Sequence, residues 1–331
     1  GLLWLVFDRG LATFWPDPLV QVTTHAGTTY LGEVTQDERY AATPSTFAAM
    51  TPEDRARAEA EAAANDGTLG RRLVRTGNFD LTGTHFTWVS DYEVAQASEP
   101  DWAVLVERLS WGRFYGTPKA FVVDGKIEAE GSDAAWAAFE ARHGEIRSRW
   151  WERQHIEKHD LGAVSRKQSD AARAVRKAEL QAGKDSPEVA EAEARMGEID
   201  AWAETESARI DGEIKQLRAA NAPYELRFET ADGQTVDLPV EEIVRAFPPN
   251  RLGFFEKVGE YLSRWWEFLS AEPREANSEG GVWPAIFGTV VMTLIMSILV
   301  VPFGVLAALY LREYAKPGPI VSTVRIAINN L

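Results

Sequence analysis

The stretch GGVWPAIFGTVVMTLIMSILVVPFGVLAALYL, residues 280–311, decides how the rest of the chain is read. It contains no Asp, Glu, Lys or Arg. A bilayer core about 30 Å thick is crossed by about 20 apolar residues at helical rise, and this run is longer. A single run inside lipid satisfies its backbone hydrogen bonds only as a helix. Residues 280–311 are therefore read as a transmembrane helix, in preference to the core helix of a soluble body. Trp283 and Tyr310 stand near its ends, where amphipathic rings favour the headgroup level. Pro302 and Gly304 interrupt it, which membrane helices tolerate when neighbours pack against the break. Thr289, Thr293 and Ser297 recur every fourth residue and mark one face, read as a helix–helix contact.

The flanks give a direction. After the run come Arg312, Lys316 and Arg325 against one acid, Glu313. Before it come Glu272, Glu275 and Glu279 against Arg274. Lys/Arg enrichment marks the cytoplasmic side. Residues 10–279 are thus expected outside the cytoplasm. Residues 312–331 are read as a cytoplasmic turn and the start of a next membrane helix.

Just upstream, residues 251–279 form the next informative stretch. Phe254, Phe255, Val258, Tyr261, Leu262, Trp265, Phe268 and Leu269 cover one wide helical face. Glu256, Lys257, Glu260, Arg264 and Glu267 cover the other. This is read as an amphipathic interfacial helix with a linker, although its polar face is not basic. The competing reading is a helix packed on the soluble body.

The chain has 331 residues and a net charge of −15. An acidic surface argues against nucleic acid and against docking on anionic lipid. It also repels free phosphate at long range. Cysteine is absent, so neither disulfides nor thiolate chemistry are available. The chain starts without Met and ends in an apolar stretch, 320–331, and reads as a fragment. Residues 1–9 open with GLLWLVF, read as the end of a first transmembrane helix, with an ordinary apolar strand as the alternative.

Residues 10–131 and 222–250 read as one β-rich domain with a small antiparallel sheet. Residues 20–24 and 28–34 form a hairpin across His25-Ala26-Gly27. Residues 51–64 form a helix capped by Thr51, with Pro52 at its first position. Strands follow over 72–76, 85–89, 102–107 and 119–123, and Asp124-Gly125 turns the last into 126–130. The aromatic cluster at 111–116 suits a ligand platform or a packed sheet corner, and the corner is the stronger reading. A second hairpin spans 224–229 and 234–238. Between the two β parts lies 132–221, rich in Ala, Glu, Arg and Lys at helical spacing. Its start is assigned to a cap by Ser132 or Asp133. Gly183 breaks it, and Ser186-Pro187 restarts it. Two such arms fold back as an antiparallel hairpin, about 45 to 50 Å long at 1.5 Å rise if each holds about 33 residues.

His155, Glu157 and His159 place two imidazoles four residues apart. A zinc protease needs Glu directly after the first His, and no third ligand is evident, so a plain helix surface is the better reading. No phosphate-cradling Gly-rich loop ending in Lys-Ser/Thr occurs. No catalytic, cofactor or metal site is assigned, and the chain is read as no enzyme.

A resemblance adds to this. Gly280, Gly281, Trp283, Pro284, Gly288 and Thr289 begin the pattern. Pro302, Gly304, Ala307, Tyr310, Leu311, Glu313, Tyr314 and Ala315 continue it, and Arg325, Asn329, Asn330 and Leu331 close it. In that order they resemble the start of the membrane domain of PstA-type permease subunits of phosphate ABC importers. The opening GLLWLVFDRGLATFWP resembles the exit of the first membrane helix in this subunit's long variant, which carries a large periplasmic insertion. The resemblance implies an α+β periplasmic domain joined to the transmembrane helices of a MetI-like ABC permease in a bacterial inner membrane. It implies as partners a PstC-type permease subunit, ABC ATPase subunits that hydrolyse ATP, and a periplasmic phosphate-binding protein. Which residues contact phosphate is left open. A membrane-anchored extracytoplasmic sensor or scaffold is the rival reading.

Overall fold

Apolar positions on both faces of the first strand set the architecture. The computed structural model describes residues 10, 11, 13–271, 273–274, 279–314, 318 and 321–322. In β1 (Leu19–Thr24), Leu19 and Val22 are both fully buried but belong to different apolar clusters. Successive strand residues face opposite sides, so β1 is covered on both faces. Gly27, at φ +84°, turns the chain and donates its N–H to Thr24 O at 2.9 Å. β2 (Thr29–Ala41) then pairs back, Val22 opposite Tyr30. Two helices follow, α1 (Pro44–Ala48) and α2 (Pro52–Ala64). Thr51 caps α2 by accepting from the Asp54 N–H, with Pro52 in the first turn, as the sequence predicts. The sheet is completed by β3 (Thr68–Arg75), β4 (Phe86–Ser90), reached through α3 (Phe79–Thr82), and β5 (Val94–Ser98). Its order is β4-β3-β2-β1-β5, antiparallel throughout.

A second antiparallel sheet holds β6 (Val104–Arg108), β7 (Arg113–Val123), β8 (Lys126–Glu130), β9 (Tyr224–Glu229), β10 (Thr235–Pro239) and β11 (Ile243–Phe247). Its order is β10-β9-β7-β6-β11, with β8 joined to β7. Asp124 and Gly125, at φ +50° and +72°, make the turn between β7 and β8. Phe114, Phe121, Leu226 and Phe228 are fully buried on this sheet.

Trp136, Phe139 and Ile146 of α4 (Ser132–His155) share that core. A single π turn, Ile156–Asp160, leads into α5 (Leu161–Ala182). Gly183 breaks the helix, and Ser186 restarts it by capping α6 (Pro187–Asn221) through the Val189 N–H. Hydrogen bonds from Gln168 to Asp200 and from Arg218 to Glu157 fix α5 and α6 as antiparallel.

Several expectations are corrected. The fold class was expected to be one small sheet with an inserted hairpin beside the helices of a MetI-like permease. The body instead has two antiparallel sheets. Among the described residues one helix alone, α8 (Trp283–Leu309), is long and apolar enough to cross a membrane. These are not the features of a multi-span MetI-like permease. The further spans came from the resemblance, not from apolar runs within the described chain. The segments read into 1–9 and into most of 312–331, with Arg325 and Asn330, lie outside the described residues. The helical insertion is also not all hairpin, because α4 belongs to the sheet core. Its start is held differently: Gly131, at φ +88°, occupies the cap position, and Ser132 Oγ donates to Pro118 O at 2.7 Å.

The chain divides into two compact units, Trp15–Val258 and a second made of residues 1–14 with 259–331. The boundary falls within α7 (Phe254–Ser270).

Candidate functional site

The motif residues at 280–314 gather on α8 and on the segment that leads into it. Gly280, at φ +89°, lies opposite Pro273 in a two-residue antiparallel pairing. Gly281 has no room for a side chain. A Cβ there would lie 2.2 Å from the carbonyl oxygen of Ala271 and 2.8 Å from that of Glu267. Next to it, the Val282 N–H donates to Phe268 O at 2.8 Å. Phe268 O in the last turn of α7 thereby receives a donor, and the start of α8 is seated on that turn.

Pro284 lies in the first turn of α8, where its missing N–H costs nothing. Trp283 is half exposed, its ring 6.0 Å from Phe287. Beyond this, α8 presents apolar side chains on every side, and no residue of its most apolar window is buried. Gly288 and Gly304 face open space. Thr289 Oγ1 donates to Ala285 O and Thr293 Oγ1 to Thr289 O, each at 2.8 Å. These hydroxyls satisfy themselves on their own helix, so they require no partner helix in an apolar medium. Pro302 lies inside α8 and has no N–H for the carbonyl one turn back. At Tyr310 the helix loosens into a π turn, Tyr310–Tyr314, which carries Glu313 and the exposed ring of Tyr314.

The other sequence candidates resolve into structure. The His155 and His159 rings are tilted against each other at the π turn, their centres 4.4 Å apart. Glu157 between them is engaged by Arg218 at 2.9 Å and Gln154 at 3.1 Å. Among the described residues no three His, Asp or Glu side chains converge to hold a metal ion. The aromatic cluster at 111–116 is a sheet corner: Trp111 and Gly112 take φ +68° and +70°, and Phe114 and Tyr115 are fully buried in β7. Arg108, 3% exposed, braces it by donating to Trp111 O and Gly112 O and by a bidentate pair with Asp80 at 2.8 and 3.0 Å. Those hydrogen bonds from Arg108 hold the Asp80 carboxyl below its ordinary range, against partial burial.

Two polar clusters were not visible in the sequence. Glu33 of β2 accepts from Arg113 at 2.5 Å and from the Tyr115 hydroxyl at 2.7 Å, with Arg75 at 3.6 Å. This joins the two sheets. Burial, then Glu33, pushes the Tyr115 hydroxyl well up, so it stays a donor. Burial works against the Arg113 charge, yet Glu33, Tyr115 and Glu107 hold its pKa above the ordinary value. Charge is balanced by charge here, and the cluster acts as a latch. The second cluster roots the helical hairpin: Asn221 bonds Ile146 O, Arg149 and Glu241.

No family model, curated protein or solved structure matches the chain.

Proposed function

We propose that the chain is part of the membrane permease subunit of an ATP-driven inorganic phosphate importer. In this reading α8 contributes to the translocation pathway, and the Trp15–Val258 body stands in the periplasm. The observation that carries it is α8 itself: 27 residues without a charge, exposed all round, with the Thr289 and Thr293 hydroxyls bonded within the helix. Such a surface calls for lipid or other membrane helices around it. The cargo and the partners rest on the resemblance of the motif residues alone: a PstC-type permease subunit, ABC ATPase subunits and a periplasmic phosphate-binding protein. The acidic body is then a docking module rather than an anion funnel.

The test combines topology and transport. A reporter fused after Tyr314 should read cytoplasmic, one placed at Lys184 in the hairpin tip periplasmic, and loss of the gene should abolish phosphate uptake. A periplasmic reading beyond Tyr314, or undiminished uptake without a compensating copy, overturns the proposal. A second reading, a membrane-anchored extracytoplasmic sensor or scaffold, draws on the long α5–α6 hairpin. It requires undiminished uptake.

A further inference from the structure

α7 carries two apolar stripes, and among the described residues only one is covered. Tyr261, Trp265 and Phe268 form the first. Phe14 fits against it, with ring centres 5.0 Å from Trp265 and 5.2 Å from Phe268, and the Tyr261 hydroxyl donates to Leu11 O at 2.9 Å. Arg264 on the same side is buried, its guanidinium 5.8 Å from the Phe14 ring. The second stripe is rotated from the first by roughly a quarter turn, at about 100° per residue. It holds Leu262, Trp266 and Leu269, exposed to 59%, 74% and 46%. Neighbours three, four and seven apart share one helix face, so these side chains make one continuous surface.

We infer that this second stripe lies in the headgroup region of a zwitterionic lipid leaflet, on the side from which α8 enters the membrane. The inference rests on the membrane reading of α8 and adds a second lipid contact to it. The Val282–Phe268 hydrogen bond and the close approach of Gly281 to Ala271 pin the end of α7 to the residues just before α8. That turn must therefore sit at the depth where α8 begins. Trp266 and Trp283, both exposed, supply the amphipathic rings that favour this level. An interfacial helix buries its apolar face about 5–10 Å into the headgroup boundary. The charges on α7 choose the lipid. On α7, Glu256, Glu260 and Glu267 stand against Lys257 and Arg264, so the helix carries no basic excess. A helix without a basic excess gains nothing from anionic headgroups, so the surface that fits is neutral overall.

The chain has no cysteine, so single cysteines can be placed and spin-labelled in the full chain reconstituted into phosphatidylcholine vesicles. Labels at Leu262→Cys and Leu269→Cys should collide more with lipid-dissolved oxygen than with a water-soluble nickel chelate. Labels at Ser263→Cys and Ser270→Cys, on the polar side, should show the reverse ratio. Leu299→Cys in α8 separates the two claims. If Leu299 reports lipid while Leu262 and Leu269 report water, or are shielded from both reagents by protein, the inference fails and the membrane reading stands. If Leu299 itself reports water, the membrane reading fails and takes the inference with it. Adding anionic lipid should not raise the oxygen ratio at Leu262; a rise overturns the assignment to neutral lipid.

Discussion

Asn221, the last residue of α6, donates its side-chain amide to the carbonyl of Ile146 in α4 at 3.2 Å while its Oδ1 accepts from Arg149 at 2.7 Å. The same amide reaches Glu241 Oε2 at 3.2 Å, and Arg153 donates to that same oxygen at 3.2 Å. A residue 1% exposed thus ties the returning arm of the hairpin to the helix that lies on the sheet. Asn221→Leu removes donor and acceptor together and strands buried polar groups, each costing about 1–3 kcal/mol. The body should melt several degrees lower, at about 2–4 °C per kcal/mol for this size. Proteolysis should begin near the hairpin root. An unchanged melt would show that water replaces the amide at no cost.

The latch between the sheets should answer differently to its two partners. Tyr115→Phe removes one hydrogen bond to a charged group, a loss of about 1.5–3 kcal/mol. Glu33→Gln leaves the buried Arg113 guanidinium without its main counter-charge, a loss of about 3–5 kcal/mol. Denaturant unfolding of the two single variants and the double variant measures the coupling. The order Glu33→Gln worse than Tyr115→Phe, with a double variant well short of the sum, is the expected result.

These two clusters also show what the sequence could and could not carry. Local chemistry was legible: the Thr51 cap, the Asp124-Gly125 turn and the Ser186-Pro187 restart each need only neighbours in the chain. The uncharged run at 280–311 was legible for the same reason. The division of the strands into two sheets was not. β5 and β11 are five-residue edge strands, VAQAS and IVRAF, too short and too mixed to announce themselves. β1 is apolar on both faces because each of them is covered by a different cluster, and that arrangement is tertiary. Glu33 and Arg113 lie 80 positions apart, so no spacing rule joins them. On α7 the sequence shows one broad apolar face. Only the position of Phe14 divides it into a covered and an open stripe.

His143 gives the body a pH dependence. Burial lowers its pKa, Arg147 adds to that, and the hydrogen bond with Ile243 O at 2.7 Å opposes it. The folded state therefore binds its proton less readily than the unfolded chain. The stabilisation is complete above the unfolded value of about 6.5 and is lost as pH falls toward the lower folded value. Melting midpoints should drop between pH 7 and pH 5, at no more than about 1.4 kcal/mol per pH unit for one proton. His143→Gln should flatten that part of the profile. An equally steep profile in the variant would assign the protons elsewhere.

Gly281 gives the paired glycines ahead of α8 a physical reason. Gly280 needs its left-handed φ of +89°, whereas Gly281 needs the absence of a side chain. Its would-be Cβ meets backbone oxygens of Ala271 and Glu267, not the tip of a side chain that could swing aside. Gly281→Ala must therefore push the start of α8 off the last turn of α7, an overpacking strain of about 1–3 kcal/mol. The Val282–Phe268 hydrogen bond should break first. Spin labels at Leu269→Cys and Phe287→Cys should give a narrow distance distribution in the parent chain. In Gly281→Ala the distribution should broaden and shift outward, while the melting of the Trp15–Val258 body stays unchanged, since the crowded atoms around Gly281 all lie outside it. A distribution as narrow as the parent's would mean that the junction yields without separating, and that Gly281 does not hold α7 to α8.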